Sequence, residues 1–241
     1  MRTELAASEG AFLRARRPEQ KQQRYQAILD AAHALALRDG IATVTLTAIA
    51  AEVGMHKSAL LKYFGTREEI FLRLAETDWL TWADGLVTEL RRGPVDEGRL
   101  VDALTASLVE RPLICQMFTT HSALRLERNV PLEAARRSKN AAMRAVGEVA
   151  DVVHAAFPAL DRDAALELLI TTGLMAAGLW QVAHPPPVVA ALFEQPPEQR
   201  GFPPTAPICF ADALASFVRT YIAGLRHLHT SAGRSATPEC D

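Results

Sequence analysis

The sequence has no long uninterrupted apolar run, although 49% of its 241 residues are hydrophobic. No stretch reaches the roughly 18 consecutive apolar residues that a membrane span needs. The first residues, MRTELAASEGAF, place acidic and polar side chains where a signal peptide would need its apolar core. We therefore expect a cytoplasmic protein without a membrane partner. Its length and hydrophobicity allow a substantial buried core, which excludes disorder throughout.

Cysteine is also scarce, and the three cysteines, Cys115, Cys209 and Cys240, lie far apart without a CxxC pair. Neither a disulfide framework nor a zinc site is indicated. His227 and His229 have no carboxylate or cysteine at helical spacing, so we expect them to be exposed and not metal ligands. The sequence thus predicts no metal and no cofactor.

Motifs of the common catalytic sites are missing. The sequence contains no GxSxG, no phosphate-binding glycine loop and no HExxH. Its acidic residues are scattered over predicted helix surfaces. We therefore predict that the protein is not an enzyme and has no catalytic residues.

Strand alternation bounded by hairpin turns is absent as well, so we predict an all-α protein with about nine or ten helices. Apolar residues recur at spacings of three and four from Gln22 to Asp39, which predicts an amphipathic helix ended by Gly40. Further helices are predicted over 46–53, 57–64, 66–92, 96–109, 113–127, 131–156, 161–183 and 208–229. The eight prolines between His184 and Pro207 predict a loop with at most a turn or two of helix around 188–193.

Three short segments have defined roles in this prediction. Thr45 is placed to cap the helix that begins at Leu46, and Gly54 supplies left-handed geometry at its end. Thr66 with Glu69 forms a capping box that opens the long helix ending before Gly93 and Pro94. We predict four regions: a flexible basic arm (1–20), a domain of three helices (21–66), a larger helical domain (67–229) and a disordered tail (230–241).

Two short helices joined by a tight turn are the arrangement that LTAIAAEVGMHKSALLKYF predicts. Ile49, Val53 and Leu60 are the apolar packing positions, Ala50 is the small residue facing the partner helix, and Gly54 makes the turn. This is a helix-turn-helix, whose second helix enters the major groove of DNA. The outer face would present donors suited to phosphate oxygens and base edges, namely His56, Lys57, Ser58 and Lys62. The alternative is an ordinary three-helix packing unit.

The segment TVTLTAIAAEVGMHKSALLKYFGTREEIFLRL resembles the N-terminal domain of the TetR family of regulators, and the resemblance extends over residues 22–80. It implies that Thr45 caps the helix and touches phosphate, that Thr47 reaches DNA, and that Tyr63 holds a phosphate. It also implies contacts with bases or backbone from His56, Lys57, Ser58 and Lys62.

Two positions depart from the family pattern. Leu61 stands where the family usually has a tyrosine, and Gly65 replaces a common proline or lysine. Leucine cannot donate to phosphate, so we expect one contact fewer or a substitute from the basic stretch Arg14–Arg24. That stretch could follow the minor groove or backbone; a solvated tail is the alternative.

The segment LLITTGLMAAGLWQVA, from Leu168 to Ala183, carries no charge. Such a helix should bury one face in its own core and another against a partner. The resemblance implies that the last two long helices form a four-helix bundle across a two-fold axis, so we expect a homodimer. The alternative is an internal helix of a monomer. The predicted interface comprises Leu168, Thr172, Met175, Leu179, Leu214, Phe217 and Tyr221.

A pocket for a small apolar or amphipathic effector would lie among the middle helices. Its candidate residues are Trp82, Met117, Phe118, His121, Met143, Met175 and Trp180, each of which could equally be plain core. The sequence therefore predicts a ligand-responsive DNA-binding regulator of transcription, a repressor released from operator DNA by a small molecule. The alternative is a regulator controlled by a partner protein, or an activator, without a small-molecule effector.

Overall fold

The computed structural model describes residues 2–118, 126–200 and 208–234, and within them the side chains of residues 18–117, 126–196, 198–199 and 208–228. The residues described form helices and connecting turns without a strand, which confirms the all-α fold. The helices are α1 (Arg2–Asp39), α2 (Leu46–Glu52), α3 (Lys57–Leu60), α4 (Arg67–Leu90), α5 (Glu97–Val109), α6 (Pro112–Phe118), α7 (Leu132–Ala156), α8 (Arg162–Ala183), α9 (Pro187–Glu194), α10 (Pro197–Arg200) and α11 (Phe210–Arg234).

The chain divides into two compact units. The first contains residues 1–74 and 125–135, and the second contains residues 75–124 and 136–241. Helix α4 supplies residues to both units. The division lies within α4, a few residues beyond the 66/67 boundary predicted from the sequence.

Both ends of the chain are more helical than predicted. Helix α1 begins at Arg2, so residues 2–20 are not the irregular arm that their missing apolar periodicity indicated. Helix α11 continues to Arg234, beyond the predicted end at 229. The reason is that Ala, Leu, Glu, Arg and Gln favour helix through local propensity, which needs no apolar stripe. The rest of the predicted disordered tail, 235–241, lies outside the described residues.

The core of the first unit follows the predicted periodicity. Ile28, Ala32 and Ala36 of α1 are fully buried, as are Ile49 of α2 and Leu60 of α3. Tyr25 of α1 stacks on Phe64 with ring centroids 4.8 Å apart. Helix α2 packs on both α1 and α3. Its apolar side is therefore buried, whereas Thr47, Ala51 and Glu52 on its other side are exposed to solvent.

The predicted caps are present. The Thr45 hydroxyl accepts from the backbone N–H of Ala48 at 3.1 Å. Thr66 and Glu69 form the capping box: the Glu69 N–H donates to Thr66 Oγ1 at 3.1 Å, and the Thr66 N–H donates to the Glu69 carboxylate at 3.3 Å. Asp161 caps α8 through the N–H of Ala164 at 2.8 Å. These local bonds explain why three helix starts could be predicted from the sequence.

The core of the second unit is built around α8 and α11, which pack on each other; α11 also packs on α5, and α8 on α6. Leu168 and Ala165 of α8 and Leu214, Val218 and Ile222 of α11 are fully buried in it. Helix α8 is long and apolar enough to cross a membrane by composition. Its buried face belongs to this core, which is the usual reason for such a composition in a packed helix.

Candidate nucleic-acid interface

Helices α2 and α3 are held as a helix-turn-helix by a short turn at Gly54. Gly54 has φ +68° and nothing within 4 Å of the position of an added Cβ, so its backbone conformation and not crowding requires glycine. Its N–H donates to the Ala51 carbonyl, and the Met55 N–H donates to the Ala50 carbonyl at 2.9 Å. The turn therefore fixes the direction in which α3 leaves α2.

Three of the four residues predicted to pack inside the motif are buried, and the fourth is partly exposed. Ile49, Ala50 and Leu60 are buried, whereas Val53 is half-buried. Helix α3 is shorter than predicted, because regular α-helix ends at Leu60. Residues 61–63 continue as a turn, with the Tyr63 N–H donating to the Leu60 carbonyl at 2.8 Å.

The opposite side of the motif is open to solvent, which is the placement that DNA contact requires. The predicted contact residues are exposed except for Tyr63, which is half-buried; they are Thr45, Thr47, His56, Lys57, Ser58, Lys62 and Tyr63. We call this set the contact face. Two of its members are cations and the others carry hydroxyl or imidazole groups, so the face can donate to phosphate oxygens and base edges.

Thr45 can combine capping with phosphate contact. Its oxygen accepts from Ala48, and a hydroxyl that accepts a bond keeps its own O–H to donate. Leu61, the departure noted in the sequence, is 44% exposed beside Lys62. A leucine there adds apolar surface and no donor to the contact face.

Arg67 fastens the loop that precedes α2 to the start of α4. Its guanidinium donates to the carbonyls of Val44 and Ile41 and lies 5.0 Å from the ring centroid of Phe71. Because this loop leads directly into Thr45, Arg67 positions the contact face without belonging to it. Arg67 belongs to the segment that resembles the TetR family, but no local pattern marks its contact with the distant carbonyls of Ile41 and Val44.

Only some of the residues predicted to contact an effector line one cavity. In the second unit, a cavity of about 210 Å³ is lined from α4, α5, α7 and α8, and Trp82 and Met143 are among its lining residues. Met117, Met175 and Trp180 are not among the residues that line this cavity: Met117 is buried in the core, and Trp180 packs edge-to-face on Phe210. A contact of these three residues with an effector stays a prediction. The side chain of Phe118 and the whole of His121 lie outside the described residues.

Three residues predicted to lie at a dimer interface are buried inside the second unit instead. Leu168, Thr172 and Leu214 are at most 1% exposed in the single chain, so they cannot also meet a partner. Periodicity alone could not separate the two sides of an uncharged helix. Thr172 lines the cavity together with Trp79 and Lys139, and none of the three was predicted from the sequence to do so.

The other side of α8 is apolar and exposed. Ile170, Leu174, Gly178 and Val182 recur every fourth residue, and Leu174 and Val182 are 61% and 58% exposed. Of the remaining predicted interface residues, Met175 is exposed, and Leu179, Phe217 and Tyr221 are half-buried. Tyr221 Oη donates to Glu167 at 2.5 Å, and this hydrogen bond raises the pKa of Tyr221.

No group of three metal-binding side chains occurs among the described residues. His227 is exposed, and the side chain of His229 lies outside the part of the chain that the structure describes.

Two protein families match the chain. One, described as "Bacterial regulatory proteins, tetR family", matches residues 28–74. The other, "Tetracyclin repressor-like, C-terminal domain", matches residues 76–228. Together they match residues 28–228 apart from residue 75, and the first contains the entire contact face.

Solved structures share the fold at low sequence identity. The fatty acid degradation regulator FadR from Bacillus halodurans is 14% identical, with a TM-score of 0.53 over 83% of this chain and 94% of its own. A TetR/AcrR family transcriptional regulator from Thermobifida fusca is 16% identical, with a TM-score of 0.51 over 84% of this chain and 98% of its own. No curated protein matches the chain.

Proposed function

The chain belongs to the TetR family of bacterial transcriptional regulators, and from this premise we propose that it is a homodimeric cytoplasmic repressor released from operator DNA by a small molecule. Family membership makes it a DNA-binding regulator and not a member of an enzyme family. The repressor role, the dimer and the effector are the parts that we propose.

The observation that carries the DNA-binding part of the proposal is the exposure of the contact face on a helix-turn-helix. In this arrangement Lys57 and Lys62 neutralise phosphates, Thr45 and Tyr63 donate to phosphate oxygens, and His56 and Ser58 meet base edges. Thr47 contacts the backbone from the first turn of α2. The exposed Lys21 and Arg24 of the basic stretch Arg14–Arg24 add phosphate contacts from α1.

The exposed apolar side of α8 supports a dimer. A stripe of Ile170, Leu174, Gly178 and Val182 would lie against its copy around a two-fold axis, and Gly178 would let the two helices approach closely. Met175, Leu179, Phe217 and Tyr221 would complete this interface. Two copies of the contact face would then read a near-palindromic operator.

The cavity in the second unit supports an effector site. Helix α4 contributes Trp79 and Trp82 to the cavity, and it begins at Arg67, which binds the loop before the contact face. We therefore expect a bound effector to shift α4. The shift would change the spacing of the two contact faces and lower the affinity for the operator. Linkage requires that operator DNA lower the effector's affinity by the same factor.

The experiment first selects operator sequences from genomic DNA with the full-length protein and then measures binding as salt rises. Lys57→Ala and Lys62→Ala should each weaken binding and reduce the slope of log K against log salt by about one. The matched control is Arg91→Ala, an exposed cation in the second unit, which should leave both quantities unchanged. Unchanged binding in both lysine variants would contradict the contact face.

A promoter reporter tests the direction of regulation. Deleting the gene should raise transcription from the selected promoter if the protein represses it. A fall in transcription would make the protein an activator, and release by another protein instead of a small molecule would favour the partner-controlled alternative.

A further inference from the structure

The cavity of the second unit has a mainly apolar lining with two polar groups of defined chemistry. We infer that it takes a small, mainly apolar organic acid, recognised by the Lys139 ammonium and the Thr172 hydroxyl. This inference rests on the proposed function, because it names the class of molecule that would release the operator.

The apolar part of the site is built on two tryptophans of α4. Trp79 and Trp82 meet edge-to-face with centroids 5.5 Å apart. The indole N–H of Trp82 already donates to Ser107 Oγ at 3.0 Å, and Ser107 donates in turn to the Leu104 carbonyl at 2.8 Å. Trp82 therefore offers a ligand only the apolar surface of its ring.

The size of the cavity limits its occupant. Its volume is about 210 Å³. This is below the range of about 300–1,000 Å³ typical of sites for drug-sized ligands. The occupant should therefore be one short chain or one ring with a short side chain.

The Thr172 hydroxyl is an unsatisfied polar group in this cavity. Thr172 is 1% exposed, and its Oγ1 has no hydrogen-bond partner among the residues that the structure describes. A buried hydroxyl without a partner is costly, and most buried polar groups are paired. An oxygen of a bound ligand would supply the missing bond.

Lys139 of α7 gives the site its charge. Among the described residues that line the cavity it is the one charged side chain, and it is exposed. An ammonium has three donors, so contacts within the protein leave capacity for a ligand. A cation beside an apolar cavity favours an anionic ligand over its neutral analogue and disfavours an amine.

The test compares acids with their neutral amides: octanoate against octanamide, and 4-phenylbutyrate against 4-phenylbutyramide. Binding to the full-length protein is measured without DNA, by calorimetry and by quenching of tryptophan fluorescence. At least one acid should bind about tenfold more tightly than its amide, because a charge-assisted hydrogen bond is lost in the amide.

Two variants separate the polar groups. Lys139→Gln should abolish the preference for the acid, whereas Arg144→Gln, an exposed cation on the same helix that does not line the cavity, should keep it. Thr172→Val should weaken binding of the acid at least threefold, in keeping with the loss of one hydrogen bond. It should leave the thermal midpoint of the free protein unchanged or higher, which shows that the variant folds.

The inference is overturned if no acid binds, if acid and amide bind alike, or if Arg144→Gln has the effect expected of Lys139→Gln. Operator binding is measured separately. An acid that binds in a Lys139-dependent manner but leaves the operator bound would uphold the ligand class and contradict release by this site in the proposed function.

Discussion

At the scale of single residues, Arg67 holds the contact face in position by binding the loop that precedes it. Its guanidinium satisfies two backbone carbonyls of the loop before Thr45 and lies over Phe71. The loop is neither helix nor strand, so its buried carbonyls cannot be paired within regular secondary structure. The hydrogen bonds from Arg67 pair them instead.

Arg67→Ala should destabilise the first unit by about 2 kcal/mol, because two buried acceptors lose a charged donor. Hydrogen exchange of the amides of α2 and α3 would report this loss locally. Arg38→Ala is the matched control: Arg38 pairs with Asp39 on the surface, a contact that also lowers the pKa of Asp39. That variant should leave the exchange rates of these amides unchanged; equal effects in both variants would contradict the role of Arg67.

A second prediction at this scale concerns Cys115. Burial raises the pKa of its thiol to about 12, so at pH 8 the thiol remains protonated and shielded. In a Cys209→Ser, Cys240→Ser double variant, iodoacetamide should label the folded protein far more slowly than the protein in urea. Rapid labelling of the folded form would show that the α5–α6 region opens.

At the scale of elements, the turn between α2 and α3 depends on one left-handed residue. Gly54→Ala should destabilise the first unit by about 1 kcal/mol, since an alanine at φ +68° is strained although no atom crowds it. Gly147→Ala is the control, because Gly147 lies within α7 with only ordinary contact at 3.9 Å. That change should be neutral or stabilising by about 0.5–1 kcal/mol. Urea denaturation of both variants would check the opposite signs.

The elements also show where sequence patterns are reliable. Starts fixed by side-chain caps, at Thr45, Thr66 and Asp161, could be predicted because the capping bonds are local. The start of α1 was misplaced, since a helix supported by propensity has no cap or stripe to mark it. The two sides of α8 were confused because they have nearly the same composition, and only packing distinguishes them.

At the scale of the whole molecule, the proposed dimer depends on the exposed stripe of α8. Leu174→Glu and Val182→Glu should convert the protein to a monomer, because each places an unpaired charge in the proposed apolar interface. Light scattering after gel filtration would measure the mass. Leu132→Glu changes an exposed leucine outside this stripe. The measured mass of this variant should remain that of a dimer. A monomeric wild-type protein would contradict the interface directly.

The sequence by itself determined the helical fold, the helix-turn-helix with its exposed lysines, and the family, because these follow from contacts between residues close in the chain. Only the tertiary structure decided that Thr172 and Leu168 face inward, and that Lys139 lies beside Trp79 and Trp82 at one cavity. The physical reason is that a cavity and a core are formed by side chains from α4, α5, α7 and α8, whose positions no local pattern records.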